Sequence, residues 1–356
     1  MRILEESGYL NIPAIRAYQE EKNLVYCWIW GGRGIGKTYG ALSECVRRYR
    51  EAEEKFIFLR RTKTQTDLIT NERFMTFKAL NTDSGWNYYP FSIGSGMYGF
   101  FDTVINPETG KRKAAGPEIG IAMSVSTSGN IRGYDGSDMS TVIYDEFIPL
   151  KNERPIKGEA DLLFNTLETI GRNRELQGKK PLYFMGLSNS NNVDNPYFLE
   201  LNLVKRALKM SLADDNQIYE DHRRGLLLIC INKSPISEAK KSTSLYSLTA
   251  GSDFQRMALD NEFVEVEQKS IKSQDLRAYN PLAAIGGICI YRHKTDNGRY
   301  YVSEHIKGNP PVFNPSEIDS ERFRRKYFYL YDAYMRDKIL FENHLTEYLF
   351  QLYNKI

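Results

Sequence analysis

The chain is short of the residues that would staple or metallate a small fold. Four cysteines, Cys27, Cys45, Cys230 and Cys289, are scattered through 356 residues without a C-x-x-C pair. That spacing excludes a disulfide frame and a zinc site, and reads as reduced core thiols of a cytosolic protein. The four histidines, His222, His293, His305 and His344, lie far from any cysteine cluster, so no metal cage is expected. Charge of one sign is lacking too: 48 Lys and Arg against 45 Asp and Glu leave +3, too little to argue for nucleic acid by itself. The longest apolar run, Gly225 to Ile231, is far too short to span a bilayer. The opening Met1-Arg-Ile-Leu-Glu-Glu carries acid where a signal peptide needs an apolar stretch.

What is present is an ordinary globular composition, 41% hydrophobic and 26% charged, in a length that suggests two domains. Tyrosine is abundant, at 24 residues, which suits partly wet surfaces and interfaces.

One stretch organises the rest. Gly31 to Thr38 read G-G-R-G-I-G-K-T, a full match to the Walker A pattern. An apolar run, Leu24 to Trp30, precedes it as a buried strand, and a helical pattern, Thr38 to Arg50, follows. In that setting the backbone N–H groups of Gly31, Gly32, Arg33, Gly34, Ile35 and Gly36 can wrap phosphates, helped by the positive end of the next helix. Lys37 reaches the β- and γ-phosphates of ATP, the Thr38 hydroxyl binds Mg²⁺, and Tyr39 is counted with the nucleotide-binding residues. A second apolar run, Met139 to Phe147, ends in Asp145-Glu146, the Walker B pattern. Asp145 is expected to hold Mg²⁺ through water, and Glu146 to orient the attacking water as a general base.

Other strand ends carry polar residues where α/β sheets collect ligands. Lys55 to Arg61 is a short buried strand ending in Arg60-Arg61, available to phosphate or DNA, or salt-bridged to a neighbouring helix. Pro181 to Ser190 is another, ending in Ser188-Asn189, a γ-phosphate sensor or a plain strand-end turn. Gln19 precedes the first strand, either touching adenine or lying on a solvated helix face. Residues 85–122 read as two or three strands around the tip Asn106 to Lys113, whose three consecutive cations either grip DNA or are solvated. Asp161 to Gln177 reads as a helix with Arg172 and Arg174 near its end, complementing its dipole or reaching a neighbour's γ-phosphate. Beyond it, Tyr197 to Met210 looks helical, Asp214 to Arg224 polar, Gly225 to Ile231 an isolated apolar strand, and Lys233 to Ser244 an exposed loop. A helix-like stretch runs to about Gln268. Residues 285–304 form a hairpin with Asn-Gly at its turn. Tyr327 to Ala333 and Ile339 to Phe341 read as strands, and Asn343 to Tyr353 as a closing helix.

Together these motifs resemble the bacteriophage DNA-packaging ATPases, the terminase large-subunit class, and within it the compact phi-29-like packaging ATPases. The resemblance rests on Arg33 inside the Walker A loop, on Ser128-Gly-Asn-Ile-Arg-Gly133 shortly before Walker B, on Asp145-Glu146, and on Ser188-Asn189 where a coupling motif falls. It covers roughly residues 25–190. It implies an α/β P-loop NTPase (ASCE, RecA-like, a mostly parallel sheet with helices on both faces) plus a small α+β C-terminal domain resembling a degenerate RNase H-like nuclease. Boundaries are expected at 1–224 for the ATPase domain, 225–254 for a linker or lid, and 255–356 for the last domain. The resemblance further implies ATP and Mg²⁺ as cofactors, double-stranded DNA as substrate, and a homo-oligomeric ring, a pentamer, on the viral portal. Such a protein works in the host cytoplasm on the prohead and is absent from the mature virion.

Arg33 is then the Walker A arginine, alternately pairing with and releasing Glu146. Arg132, Arg172 and Arg174 are the candidates for a cation acting in trans. The expected first strand of the nuclease-like domain, Gly287 to His293, carries no Asp or Glu, whereas two-metal cleavage needs clustered carboxylates; no nuclease activity is expected. Prohead RNA is a further implied partner, with Arg322 to Lys326 as a basic contact or a solvated helix start. The competing readings are another ring or helicase-type DNA ATPase, a terminase with a live nuclease, and a nucleotide-binding scaffold that docks on a portal without turnover.

Overall fold

Strand β1, Tyr26–Gly31, is buried from Cys27 onward and faces two layers of helices. Cys27 and Ile29 pack with apolar residues of α1 (Ile12–Lys22) and α2 (Lys37–Ala52), among them Ile15, Leu42 and Cys45. The alternate residue Trp28 points the other way, into Phe147, Phe184 and Tyr197, with ring centroids 4.7, 4.7 and 5.4 Å distant. A period of two along a strand thus sets up the sandwich of helix, sheet and helix. The computed structural model describes residues 1–69, 71, 73–131, 134–149, 153, 156–189, 193, 195–252, 255, 259, 270–314 and 317–354. The chain divides into two units, Met1–Glu200 with Lys205–Glu262, and Leu201–Val204 with Phe263–Ile356.

The strands of the first unit are β1, β2 (Lys55–Arg60), β3 (Tyr88–Gly94), β4 (Met97–Ile105), β5 (Arg112–Ser124), β6 (Met139–Asp145), β7 (Tyr183–Ser188), β8 (Gln217–Asp221) and β9 (Leu226–Ile231). Among the described residues they form one nine-stranded sheet in the order β3-β4-β5-β2-β6-β7-β1-β9-β8. The run from β5 to β9 in that order is parallel throughout. The edges, β3-β4-β5 on one side and β9-β8 on the other, are antiparallel. One strand, β7, separates the Walker A strand β1 from the Walker B strand β6, the additional strand of the ASCE arrangement. Helices α3 (Lys63–Leu68) and α4 (Lys78–Ser84) follow β2. Helices α5 (Glu159–Gly171), α6 (Pro196–Glu200) and α7 (Val204–Ser211) lie in the sequence on either side of β7. The Trp30 face of the sheet meets them: Trp30 Nε1 donates to Ser211 Oγ at 2.9 Å.

Several expectations need correction. The segment beginning at Gly225 does not open a linker: β9 pairs with β1 residue by residue, Tyr26 with Leu226 through Gly31 with Ile231. All six of its side chains are buried, as a strand deep in a parallel sheet requires. The preceding polar segment contains β8, whose polarity fits an antiparallel edge. The expected loop 233–244 holds helix α8, Pro235–Lys241, started by the Ser234 side chain, and the first residue of α9, Ser244–Leu248. The helix-like stretch up to Gln268 falls mostly outside the described residues. Gln19 is neither solvated nor at a ligand: it is fully buried, and its Nε2 donates to Leu24 O at 3.0 Å, at the amino edge of the sheet.

Among the described residues the first strand of the second unit is β10, Tyr279–Ile285, and not the expected Gly287 to His293, whose residues form β11, Ile288–His293. With β12 (Tyr300–Ser303), β13 (Val312–Phe313) and β14 (Ile339–Phe341) they give a mixed sheet in the order β13-β10-β11-β12-β14. The hairpin β11–β12 is as expected. Helices α10 (Glu317–Lys326), α11 (Tyr329–Met335) and α12 (His344–Asn354) pack Phe323, Leu330, Ala333 and Phe350 into one cluster with Ala283, Ile285 and Ile290 of the sheet. Residues 327–333, expected as a strand, run into α11. Tyr327, Leu330 and Ala333 are buried while Phe328 and Tyr331 are exposed, the three-residue spacing of a helix and not the alternation of a strand. Among the described residues no helix is long and apolar enough to cross a membrane.

Candidate nucleotide site

The site forms where β1 ends. Gly31 sits at φ 150° and approaches β9 so closely that a Cβ would lie 2.4 Å from Ile231 O, so only glycine lets the two strands meet there. Gly36, at φ 79°, caps α2 in the left-handed region and hands the chain to the helix. Ile35 anchors the loop by entering the core, and Leu10 N donates to its carbonyl at 2.9 Å. Gly32 is buried, while Arg33 and Gly34 are exposed at the crest.

Lys37 is 5% exposed and donates from Nζ to Gly31 O at 3.0 Å and Gly32 O at 2.7 Å. Burial is the main reason that its ammonium is pushed down to about 7, with Lys240 and Arg33 adding to the effect and Asp145 opposing it. A lysine so poorly served by carbonyls alone is suited to an anionic partner.

Asp145 ends β6 beside the loop. Its Oδ1 accepts from Thr38 Oγ1 at 2.8 Å, and its Oδ2 pairs with Arg60 Nη2 at 2.9 Å. Burial raises the Asp145 carboxyl, and Arg60 most strongly opposes the rise. Glu146 follows at φ 58°, a left-handed conformation rare for a residue with a side chain. The kink leaves it half-exposed, with Oε2 held by Arg60 Nη1 at 2.9 Å. One guanidinium therefore spans both Walker B carboxylates.

This arrangement fits a nucleoside triphosphate and Mg²⁺. The glycine crest leaves backbone open to phosphate, and a hydroxyl and a carboxylate already in contact are the hard oxygen donors Mg²⁺ takes. Thr38 and Asp145 would hold such an ion. Ser188 is buried at the end of β7, paired in register with Trp30, and Asn189 is half-buried beyond it. Both stand at the same sheet edge as the loop, because β7 is parallel to β1.

Other expected residues are placed elsewhere. Arg33 makes no ion pair among the described residues; Glu146 belongs to Arg60 instead. Tyr39 is turned away, its hydroxyl donating to Asp83 Oδ2 at 2.9 Å. Arg172 donates to Tyr134 O at 2.7 Å, and Arg174 donates to Met139 O, at the amino end of β6. Six residue steps of extended strand separate that end from Asp145, about 20 Å, so neither arginine serves the phosphate site of its own chain. Arg132 lies outside the described residues. Arg61 takes the salt-bridge alternative: buried, it grips Glu159 of α5 at 2.6 Å and Glu153 at 3.0 Å. At the basic tip, Arg112 stacks on Tyr89, 3.4 Å from its centroid, while Lys111 and Lys113 are exposed.

Two contacts had no local signal. Tyr9 lies against Gly36, 3.1 Å from where a Cβ would stand, and Lys240 Nζ donates to Arg33 O at 3.1 Å. Arg60 carries a strand-end signal in sequence, but only the register of β2 against β6 brings it to the Walker B carboxylates.

Residues 6–280 match the family described as Podovirus DNA encapsidation protein (Gp16). The chain is 27% identical over 277 residues to the DNA packaging protein of Bacillus phage phi29, covering 76% of this chain and 70% of that protein. Its fold is similar to that of the Phi-28 gp11 DNA packaging motor, with a TM-score of 0.60 at 19% identity over 96% of this chain and 97% of the other. It is also similar to the bacteriophage Phi-29 viral genome packaging motor assembly, with a TM-score of 0.57 at 20% identity over 98% of this chain and 100% of the other.

Proposed function

The chain belongs to the Podovirus DNA encapsidation protein (Gp16) family, and from that premise we propose that it hydrolyses ATP to drive double-stranded viral DNA into a prohead, as a ring of identical subunits, five in number, docked on the portal. The observation that carries the reading is the cluster Thr38–Asp145–Arg60–Glu146 at the carboxyl edge of the sheet, next to the Lys37 loop. Bound ATP with Mg²⁺ supplies the phosphoanhydride to be split. Thr38 and Asp145 would hold the ion, and Lys37 would leave its two carbonyls for phosphate oxygens. Glu146 orients and polarises water, a role that contributes about 10²–10⁴-fold. Ser188 and Asn189 sense the terminal phosphate from β7.

Glu146 cannot do this while Arg60 holds it. The gating first assigned to Arg33 is therefore better given to Arg60, whose release of Glu146 makes hydrolysis wait for DNA. Arg33 keeps a phosphate-facing place on the loop crest. The trans-acting cation comes from Arg172, Arg174 or Arg132 of a neighbouring subunit. The second unit does not cleave DNA; this is supported by the lack of any Asp or Glu on β10 and β11. It docks on the portal and on prohead RNA, with Arg322, Arg324, Arg325 and Lys326 as the basic contact, although Arg325 already pairs with Glu321 at 2.8 Å. The work is done on the prohead in the host cytoplasm.

The test is ATP hydrolysis at rising protein concentration, with and without double-stranded DNA, beside Glu146→Gln. Turnover is expected to climb with both and to vanish in the variant, which still binds nucleotide. Turnover indifferent to DNA and concentration sinks the shared-site motor; tight ATP binding without turnover favours the scaffold.

A further inference from the structure

We propose that Lys240 is a phosphate-contacting residue of the nucleotide site, delivered in cis by α8, which acts as a clamp over the loop crest. The inference rests on the reading of Gly31 to Thr38 as an ATP site and adds a residue that the sequence motifs do not contain.

The placement follows from how α8 is held. Strand β9 ends opposite Gly31, so the chain leaves the sheet beside the first residue of the loop. Ser234 then turns it: its hydroxyl donates to Gly8 O at 2.9 Å and accepts from Ile236 N at 3.2 Å, starting the helix. A Cβ at Gly8 would stand 3.1 Å from Pro235 and 3.3 Å from Ile236, so the two segments are in close contact. Two residues further on, Leu10 N bonds the Ile35 carbonyl of the loop itself. Helix α8 is thus tied to the phosphate loop from both sides before its last turn begins.

That last turn carries Lys240. Its Nζ donates to Arg33 O at 3.1 Å and hangs over Gly34 so closely that a Cβ there would fall 1.7 Å from the nitrogen. Gly34, at φ 76°, is a glycine on conformational grounds as well. Among the described residues Lys240 has no carboxylate partner, whereas its neighbour Lys241 pairs with Glu238 at 3.0 Å. Lys37, Arg33 and Lys240 therefore converge on one short loop, and both lysines are bonded to its backbone carbonyls. A carbonyl is a weaker partner for an ammonium than a phosphate oxygen, so an incoming polyphosphate is the better acceptor for both. Lys37 is buried against the loop, whereas the bond from Lys240 to Arg33 O is exposed. The clamp closes the face that Walker A alone leaves open.

The experiment uses the full chain and equilibrium binding of a fluorescent, non-hydrolysable ATP analogue with Mg²⁺, read for wild type, Lys240→Ala, Lys240→Gln, Lys240→Arg and Lys241→Ala. ATP turnover is read alongside, and circular dichroism confirms folding. Lys240→Ala and Lys240→Gln are expected to bind about tenfold or more weakly, the size of one charge-assisted hydrogen bond. Lys240→Arg recovers part of the loss and Lys241→Ala binds as wild type. Unchanged affinity in folded Lys240→Ala and Lys240→Gln overturns the clamp while leaving the ATPase reading intact. An equal loss in Lys241→Ala also overturns it, because a general charge effect then suffices. Failure of wild type to bind the analogue overturns the ATP site itself.

Discussion

At the residue scale, the site is held in readiness by one cation with two carboxylates. Arg60 pairs with buried Asp145, whose carboxyl burial pushes up, and with Glu146, the proposed water-orienting base. Removing it has opposed effects, but Asp145 keeps the Thr38 hydroxyl, whereas Glu146 is simply released. Arg60→Ala is therefore expected to raise DNA-free ATP turnover about tenfold toward the DNA-stimulated rate, the scale of one charge-assisted pair. Arg33→Ala is expected to keep its dependence on DNA. Steady-state phosphate release with and without DNA checks both, and unaltered DNA dependence in Arg60→Ala removes the gate from this residue.

At the element scale, the buried ion network behind the sheet ties α5 to β2. Arg61, 1% exposed, meets Glu159, whose carboxylate also accepts from Tyr197 at 3.0 Å, and Tyr197 in turn contacts the Tyr144 hydroxyl at 2.6 Å. Arg61→Met leaves Glu159 charged and unmatched in the interior. The expected cost is about 3–5 kcal/mol by urea denaturation, and Arg61→Met with Glu159→Leu recovers much of it. The pair β2–β5 depends on a missing side chain: a Cβ at Gly120 would lie 2.5 Å from Phe56 O. Gly120→Ala is expected to cost about 1–3 kcal/mol, because backbone and not a flexible side chain must yield. On the same strand, burial raises the carboxyl of Glu118 more than nearby Lys55 lowers it. The folded chain then holds that proton more tightly than the unfolded one, so stability is lost as pH rises above the ordinary carboxylate range. Glu118→Gln is expected to melt above wild type near about pH 7 and level with it near about pH 3; a gain that persists in acid shows another cause.

At the scale of the whole molecule, the proposed trans-acting cation has to come from a second copy of the chain. The described candidates for a trans cation, Arg172 and Arg174, stand at the amino edge of the sheet, and the phosphate site is at the other. A finger is worth ~10³–10⁵ in rate only if a neighbour presents it. Mixing Glu146→Gln with Arg174→Ala chains is therefore expected to yield more turnover than the sum of the two alone, since some interfaces pair an intact base with an intact arginine. The same mixture with Arg172→Ala tests the other candidate. Strict additivity in both removes these two residues from the trans role.

The phosphate loop, the Walker B carboxylates and the parallel core around them were legible because each is written in contiguous residues. A strand, a glycine turn and a helix start within one short run leave the backbone little choice. Positive-φ positions need glycine, and a strand buried on both faces needs an unbroken apolar run. What needed the tertiary structure was pairing across distance. Leu226–Ile231 reads as isolated because nothing near it in sequence says that β1 is its neighbour. Arg60 reads as open to phosphate, DNA or a neighbouring helix, because only the register of β2 against β6 decides which carboxylates it meets. Lys240 carries no motif, and only the docking of α8 brings it to Gly34. Residues 327–333 show the same limit in the other direction: a tyrosine-rich apolar run suits a strand or a helix, and packing against the sheet selected the face with a period of three. Local chemistry determined which groups are candidates to bind and split a nucleotide. Long-range packing determined which of them meet, because a contact between distant residues is a property of the folded sheet and not of either segment.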